Sequence, residues 1–333
     1  MRVSIISFTI KGDMLNKRLS EFFSEAEIHQ TGHVFSEKKI TLNEWTEEAF
    51  ISSEAIVFIG AAGIAVRAIA PFLKGKDKDP AVIVIDELGS FVIPILSGHI
   101  GGANSLARKI AGFIGGQAVI TTATDINGVW AADEWAASNG YSVYNTEEIK
   151  HISGAMLRGE KVGIISQFPV CGDLPDGTEF RGGGKYGILI ADKPEQPFEH
   201  TLVLIPRRIT VGAGSRSGAS PDKLLSLYIS AKERLGFEDC AVECVATIDI
   251  KKGEKSIEEL AKYIGCGLWY YSAQELNKAK GSFSGSAFVK SVTGVDNVCE
   301  RAAVMRGGRI IAQKTVGNGV TIALAARKHT VIF

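Results

Sequence analysis

"EAIVFIGAAGIAVRAIAPFLKGKDKDPAVIVIDE", residues 54–87, decides the fold. Its first seven residues are a β-branched and aromatic run ending on Gly60. Gly60 and Gly63 mark a tight turn, the spacing from 63 to 73 is helical, and a second strand-like run fills 81–87. Strand, glycine turn, helix, strand is the unit from which a mostly parallel sheet with covering helices is built.

The pattern extends in both directions. "MRVSIISF" reads as a first strand. "ILSGHIGGANSLARKIAG" (95–112) passes from a strand through a glycine pair into a helix. In that helix Ala103, Leu106, Ala107, Ile110 and Ile114 share one face, Arg108 lies off it, and Gly115-Gly116 stop it. "QAVITTATD" (117–125) reads as the following strand, and Pro94 in "FVIPILS" marks its strand as an edge or a bulged one. From 126 to 205 the pattern weakens to a helix around 128–139, a strand near 162–165 and the Gly/Pro-rich "CGDLPDGTEFRGGGKYG". A new α/β series starts at 206, with strand "RRITVG", turn "AGSRSGAS", helix 221–235, strand "VECVATID", helix 256–264 and strand "LWYYS". Helix 296–306 and a strand near 320–326 close it. The expected fold class is therefore multi-domain α/β with mostly parallel sheets flanked by helices. A Rossmann-like unit is expected over 1–125, a small middle module over 126–205 and an α/β unit over 206–333.

Composition bounds the function. A chain of 333 residues exceeds what one hydrophobic core supports, and 45% hydrophobic with 22% charged residues is ordinary globular usage. Lys plus Arg and Asp plus Glu are both 37, so no net field draws in nucleic acid or a membrane, and attraction to a charged ligand must be local. No stretch has the length of a spanning helix, and the N-terminal apolar run is too short for a signal peptide. Cys171, Cys240, Cys244, Cys266 and Cys299 are odd in number and form no CxxC pair, which argues against a disulfide framework or a zinc ribbon and for a cytoplasmic protein.

Four places could carry chemistry. Gly60, Gly63 and Arg67 form a helix-start turn that binds anions or is simply a tight turn with a surface arginine. His99 precedes Gly101 and Gly102, whose N–H groups open a helix; the ring can move protons and the amides can hold an oxyanion, or the histidine only braces the turn. Gly212, Gly214 and Gly218 follow a strand in G-x-G-x-x-x-G spacing, which with Arg216 suits an anion nest better than a dinucleotide fingerprint. Asp296 and Glu300 share a helix start, and Glu300 is either a cap or a helper carboxylate. There is no G-x-S-x-G elbow or P-loop; His29 with His33, and Cys240 with Cys244 on an expected strand, make no convincing metal set.

The stretches 60–111, "ITTATDINGVWAADEWA", "TGVDNVCERAA" and "KTVGNGVTIALA" resemble the CbiG family of cobalamin biosynthesis, the cobalt-precorrin-5A hydrolases. The resemblance runs through nearly the whole chain and is weakest in the first 50 residues. The family usually has a cysteine and a second basic residue in the third glycine turn, where this chain has Ser215 and Ser217. What the resemblance implies is hydrolytic opening of a δ-lactone on a contracted corrinoid macrocycle with loss of acetaldehyde. On that reading His99 serves as base and then acid, with Gly101 and Gly102 as oxyanion hole. Asp86, Glu87 or Asp125, each expected at a strand end, orients the ring, with Glu300 in reserve. Arg67, Arg181, Lys185 and Arg216, with the glycines of the turns, meet the substrate carboxylates. No metal, nucleotide or other cofactor is expected, since the cobalt belongs to the substrate. The expected partner is that cobalt-corrinoid small molecule, with transient contact to neighbouring pathway enzymes, and neither nucleic acid nor membrane. A non-catalytic corrinoid carrier and a nucleotide-dependent oxidoreductase using "VGAGSRSG" stay open as alternatives.

Overall fold

The computed structural model describes residues 1–32, 40–75, 78–99 and 101–333, so His33 lies outside the described residues. The chain separates into two compact units, Met1–Ser138 with Met156–Arg158, and Asn139–Ala155 with Gly159–Phe333.

In the first unit the strands are β1 (Arg2–Ser7), β2 (Glu27–Thr31), β3 (Ala55–Ile59), β4 (Ala81–Ile85), β5 (Phe91–Leu96) and β6 (Gln117–Ala118). The helices are α1 (Ile10–Phe22), α2 (Leu42–Ser52), α3 (Ala62–Ile69), α4 (Ala103–Ile114), α5 (Ala123–Ile126) and α6 (Ala132–Ser138). Among the described residues they form one six-stranded sheet in the order β2-β1-β3-β4-β5-β6, parallel except for β4 against β5. Successive strand residues point to opposite faces, and here both faces are covered. Val57 and Ile59 pack with Leu15 and Leu19 of α1 and Ala107 and Ile110 of α4. Ile56 and Phe58 pack with Trp45 of α2 and Ala65 and Ile69 of α3.

The expectation of an edge or a bulged strand around Pro94 is met by the bulge, since the strand lies between β4 and β6. The sheet accommodates the proline because the β4–β5 register shifts between Val82 and Ile83, while β6 pairs only with Phe91 and Val92. The strand expected over 117–125 shortens to Gln117–Ala118, and Asp125 falls in the first turn of α5, not at a strand end.

The second unit carries two five-stranded sheets among the described residues. One runs Thr178–Phe180, Val162–Ser166, Tyr186–Ile190, His200–Pro206, Tyr141–Val143, with only the last strand antiparallel. The other runs Gly267–Tyr271, Val242–Ile248, Ile209–Ser215, Val320–Ala326, Arg309–Gly317, the first three parallel and the last two antiparallel additions. Helices Pro221–Leu235 and Lys255–Ile264 cover one face, where Val211 and Ala213 meet Leu224, Tyr228 and Leu260. Helix Val298–Val304 lies on the other face, where Val298 and Ala302 pack with Ala246 and Ile248. Cys244 is on a strand as expected, whereas Cys240 sits in the turn Asp239–Ala241. None of the described helices is long and apolar enough to cross a membrane.

Candidate active site

The turn between β5 and α4 is built by close approach. Ser97 adopts a left-handed φ of 56° and its hydroxyl donates to the Asp79 carbonyl at 2.9 Å. The chain then folds back so that Ala103 N–H reaches the Ser97 carbonyl (3.1 Å) and Asn104 N–H the Gly98 carbonyl (2.9 Å). A Cβ on Gly101 would stand 2.4 Å from the Ser97 Cβ, so that position admits glycine only. The fold-back presents His99 beside the first turn of α4.

Two helices then converge on the imidazole, and α4 braces one of them. Nε2 lies 3.1 Å from Asp125 Oδ2 and 3.2 Å from Thr124 Oγ1, both on α5, and Nδ1 lies 3.3 Å from Asp133 Oδ2 on α6. Buried Asn104 donates to Asp125 Oδ2 at 3.0 Å and to Thr122 Oγ1 at 2.9 Å. Arg108, one turn along α4, closes a hydrogen-bonded pair with Asp125 Oδ1 and reaches Glu134 Oε1 at 3.8 Å. Asp133 Oδ1 is buried with no hydrogen-bond partner.

This geometry fixes protonation. With a carboxylate opposite each ring nitrogen, both nitrogens donate, so the ring holds its proton. The hydrogen bond to Asp133 is the largest cause, followed by burial, which opposes it; together with the Asp125 contacts the outcome is a pKa pushed up to about 9. Burial would raise the Asp125 carboxyl, but hydrogen bonds from Arg108 and His99 outweigh it and hold the group below its ordinary range. His99, Gly101, Gly102, Lys109 and Glu134 line a cleft of about 670 Å³.

The other residues singled out in the sequence disperse. Asp86 closes its own turn by accepting from Leu88 N–H (3.0 Å) and Phe91 N–H (2.6 Å), and Glu87 accepts from Thr9 Oγ1 at 2.7 Å; no hydrogen bond joins either to His99. Gly102 N–H donates to the His99 carbonyl at 2.8 Å, so the expected oxyanion hole loses that donor. Gly60 N–H is tied to the Ile85 carbonyl (2.8 Å), and exposed Arg67 folds back on the Gly63 carbonyl at 3.3 Å. In the second unit Arg181 pairs with Glu179 at 3.0 Å, and the Lys185 ammonium lies 5.2 Å from the Tyr186 ring centre. Gly212 is spent on packing: a Cβ there would stand 1.8 Å from the Cys299 carbonyl oxygen, and one on Gly214 2.6 Å from Thr321 Oγ1. Glu300 is buried and accepts from Ser284 N–H (2.7 Å), Lys314 N–H (2.8 Å) and Asn297 Nδ2 (2.5 Å), which makes it an anchor and not a helper carboxylate.

Among the described residues, two groups bring three potential metal donors together. His99, Asp125 and Glu134 have donor atoms within 4.8 Å of one another. A cation there would have to displace the ring proton and the Arg108 guanidinium. Glu148, His151 and His200 form the other group, but the two rings are stacked at 4.1 Å and 18°, so their in-plane lone pairs run side by side and do not converge. Sequence reasoning missed Asp133, Glu134 and Asn104. Two acids opening a helix read as ordinary N-terminal charges, and no spacing rule links 99 to 133.

Comparison with known proteins follows the same order along the chain. Three family models match: cobalamin synthesis G N-terminal over residues 44–125, cobalamin biosynthesis central region over 130–206, and cobalamin synthesis G C-terminus over 209–325. Cobalt-precorrin-5A hydrolase of Salmonella typhimurium is 33% identical over 293 residues, covering 83% of each chain. The protein of the same name from Priestia megaterium is 30% identical, over 83% of this chain and 79% of that one. A probable cobalt-precorrin-5A hydrolase of Methanocaldococcus jannaschii is 29% identical, over 98% of this chain and 99% of that one.

Proposed function

The chain belongs to the cobalamin synthesis G family, and from that premise we propose that it is a cobalt-precorrin-5A hydrolase, opening the substrate's δ-lactone with water and releasing acetaldehyde. One observation carries the activity: the family's three regions follow one another along the chain, and relatives bearing that enzyme name match across them.

The chemistry is assigned to the His99 cleft, with the order of proton transfers set by its charge. A ring already protonated at neutral pH acts first as an acid. Water adds to the lactone carbonyl and gives its proton to a carboxylate; Glu134 lines the cleft, 3.8 Å from Arg108. The tetrahedral intermediate collapses, the ring C–O bond breaks, and His99 protonates the departing alkoxide. The neutral imidazole, now between two carboxylates, is a strong base. It takes the proton back from the new hydroxyl as the adjacent C–C bond breaks, which leaves acetaldehyde and places the electron pair on the macrocycle. Acid then base reverses the sequence-based expectation, because Asp125 and Asp133 load the ring before substrate arrives.

No metal or nucleotide enters this scheme. The cations that the carboxylates neutralise are His99 and Arg108, and Gly212, within strand Ile209–Ser215, is taken up by packing against the Cys299 backbone. Anaerobic incubation with cobalt-precorrin-5A, read by mass and by aldehyde release, tests the activity. Turnover that persists in chelator and without nicotinamide supports hydrolysis. A carrier would release no aldehyde, and an oxidoreductase would require the nicotinamide.

A further inference from the structure

The third glycine turn opens on a second cleft, of about 730 Å³, wholly within the second unit. Its walls are apolar and unusually bare: Ile250 is 59% exposed, Phe288 75%, Val292 63% and Val316 66%. Arg216, Lys251 and Lys314 also line it, and no carboxylate does. Of these cations Lys251 is paired, with Glu254 at 3.8 Å. Ser215 Oγ, on the same wall, is buried with no hydrogen-bond partner.

The cleft is held rigid from beneath. Glu300 ties the backbone of Ser284 and of Lys314 to the start of helix Val298–Val304, where Asn297 caps the helix by accepting from Glu300 N–H at 2.9 Å. The Cys299 thiol in its floor is pushed up to about 11 by burial and stays protonated. Exposed apolar surface of this kind marks a binding face, and the cations Arg216 and Lys314 beside it select an anionic partner.

We propose that this cleft is a second corrinoid-binding site, taking the apolar face of a carboxylate-fringed macrocycle on Ile250, Phe288, Val292 and Val316 while Arg216, Lys251 and Lys314 hold its carboxylate arms. The ligand class rests on the proposed function. A flat body with peripheral carboxylates satisfies both features of the cleft, whereas an apolar peptide would leave the cations unmatched and a nucleotide would leave the apolar wall wet.

The test is equilibrium dialysis of the full chain against dicyanocobyrinic acid and its fully methylated ester, followed by corrinoid absorbance. The acid should bind and the ester should bind at least about tenfold more weakly. Arg216→Ala with Lys314→Ala should weaken the acid at least about tenfold, and Val292→Trp should block it. All these side chains reach the cleft surface, and thermal melts of each variant confirm folding. Equal binding of acid and ester, or unchanged affinity in both the double variant and Val292→Trp, would overturn the proposal. Aldehyde release by the parent chain is scored separately, so failure of the activity is distinguished from failure of this site.

Discussion

Asp133 Oδ2 stands 3.3 Å from Nδ1 of His99, across the ring from the Asp125 carboxylate 3.1 Å from Nε2. The imidazole is thus a charged bridge between the β5–α4 turn and helices α5 and α6, and its charge state is part of the fold as well as of the proposed chemistry.

Stability should therefore depend on pH in a defined window. The folded-state pKa is raised from 6.5 to about 9. The ring's contribution is complete below pH 6.5, declines as pH rises, and is gone above about pH 9. A shift of that size corresponds to about 3 kcal/mol. Denaturant midpoints measured across the window should fall in the parent chain and stay flatter in His99→Asn.

Asp133→Asn keeps the volume and removes the charge. The ring should lose its largest source of proton affinity and titrate nearer neutrality. Stability should drop by about 3 kcal/mol, as for a broken buried pair. Histidine NMR titration reads the first effect and denaturation the second; an unmoved His99 resonance would remove Asp133 from the charge bridge.

Two glycine-to-alanine changes should differ in kind. In Gly212→Ala the new methyl meets the Cys299 backbone, so helix Val298–Val304 must shift, at a cost of about 3 kcal/mol or more. Gly102→Ala has open space and only the strain of a φ of 77°, on the order of 1 kcal/mol. Thermal denaturation separates them, and similar melting points would contradict the packing role given to Gly212.

How much of this was legible follows from the kind of signal each part leaves. β3, α3 and β4 write themselves as two strand runs around a helical period, and Pro221 and Gly236 bracket their helix. The strand Arg309–Gly317 was not read, since its partner positions lie across a hairpin and its burial is irregular. The tertiary override at Asp125 is instructive. "QAVITTATD" has strand composition, yet pairing stops at Ala118 and the rest turns into α5, which is what brings Asp125 to His99. His99 and Asp125 were both chosen from sequence; Asp133 could not be, because its significance exists only once α6 has packed. Gly212 misled for the same reason: a glycine that admits a phosphate and one that admits a neighbouring helix look alike in sequence.

In the proposed mechanism the charged His99 moves the protons of lactone opening and aldehyde loss. The direct test is acetaldehyde release from cobalt-precorrin-5A under anaerobic conditions, comparing parent and His99→Asn per mole of folded protein at neutral pH, with the parent repeated up to alkaline pH. The variant should lose roughly 10² to 10⁴-fold in rate with substrate still bound. The parent's rate should decline only as pH approaches about 9, where the ring loses its proton. A folded variant releasing aldehyde at the parent rate would contradict that mechanism.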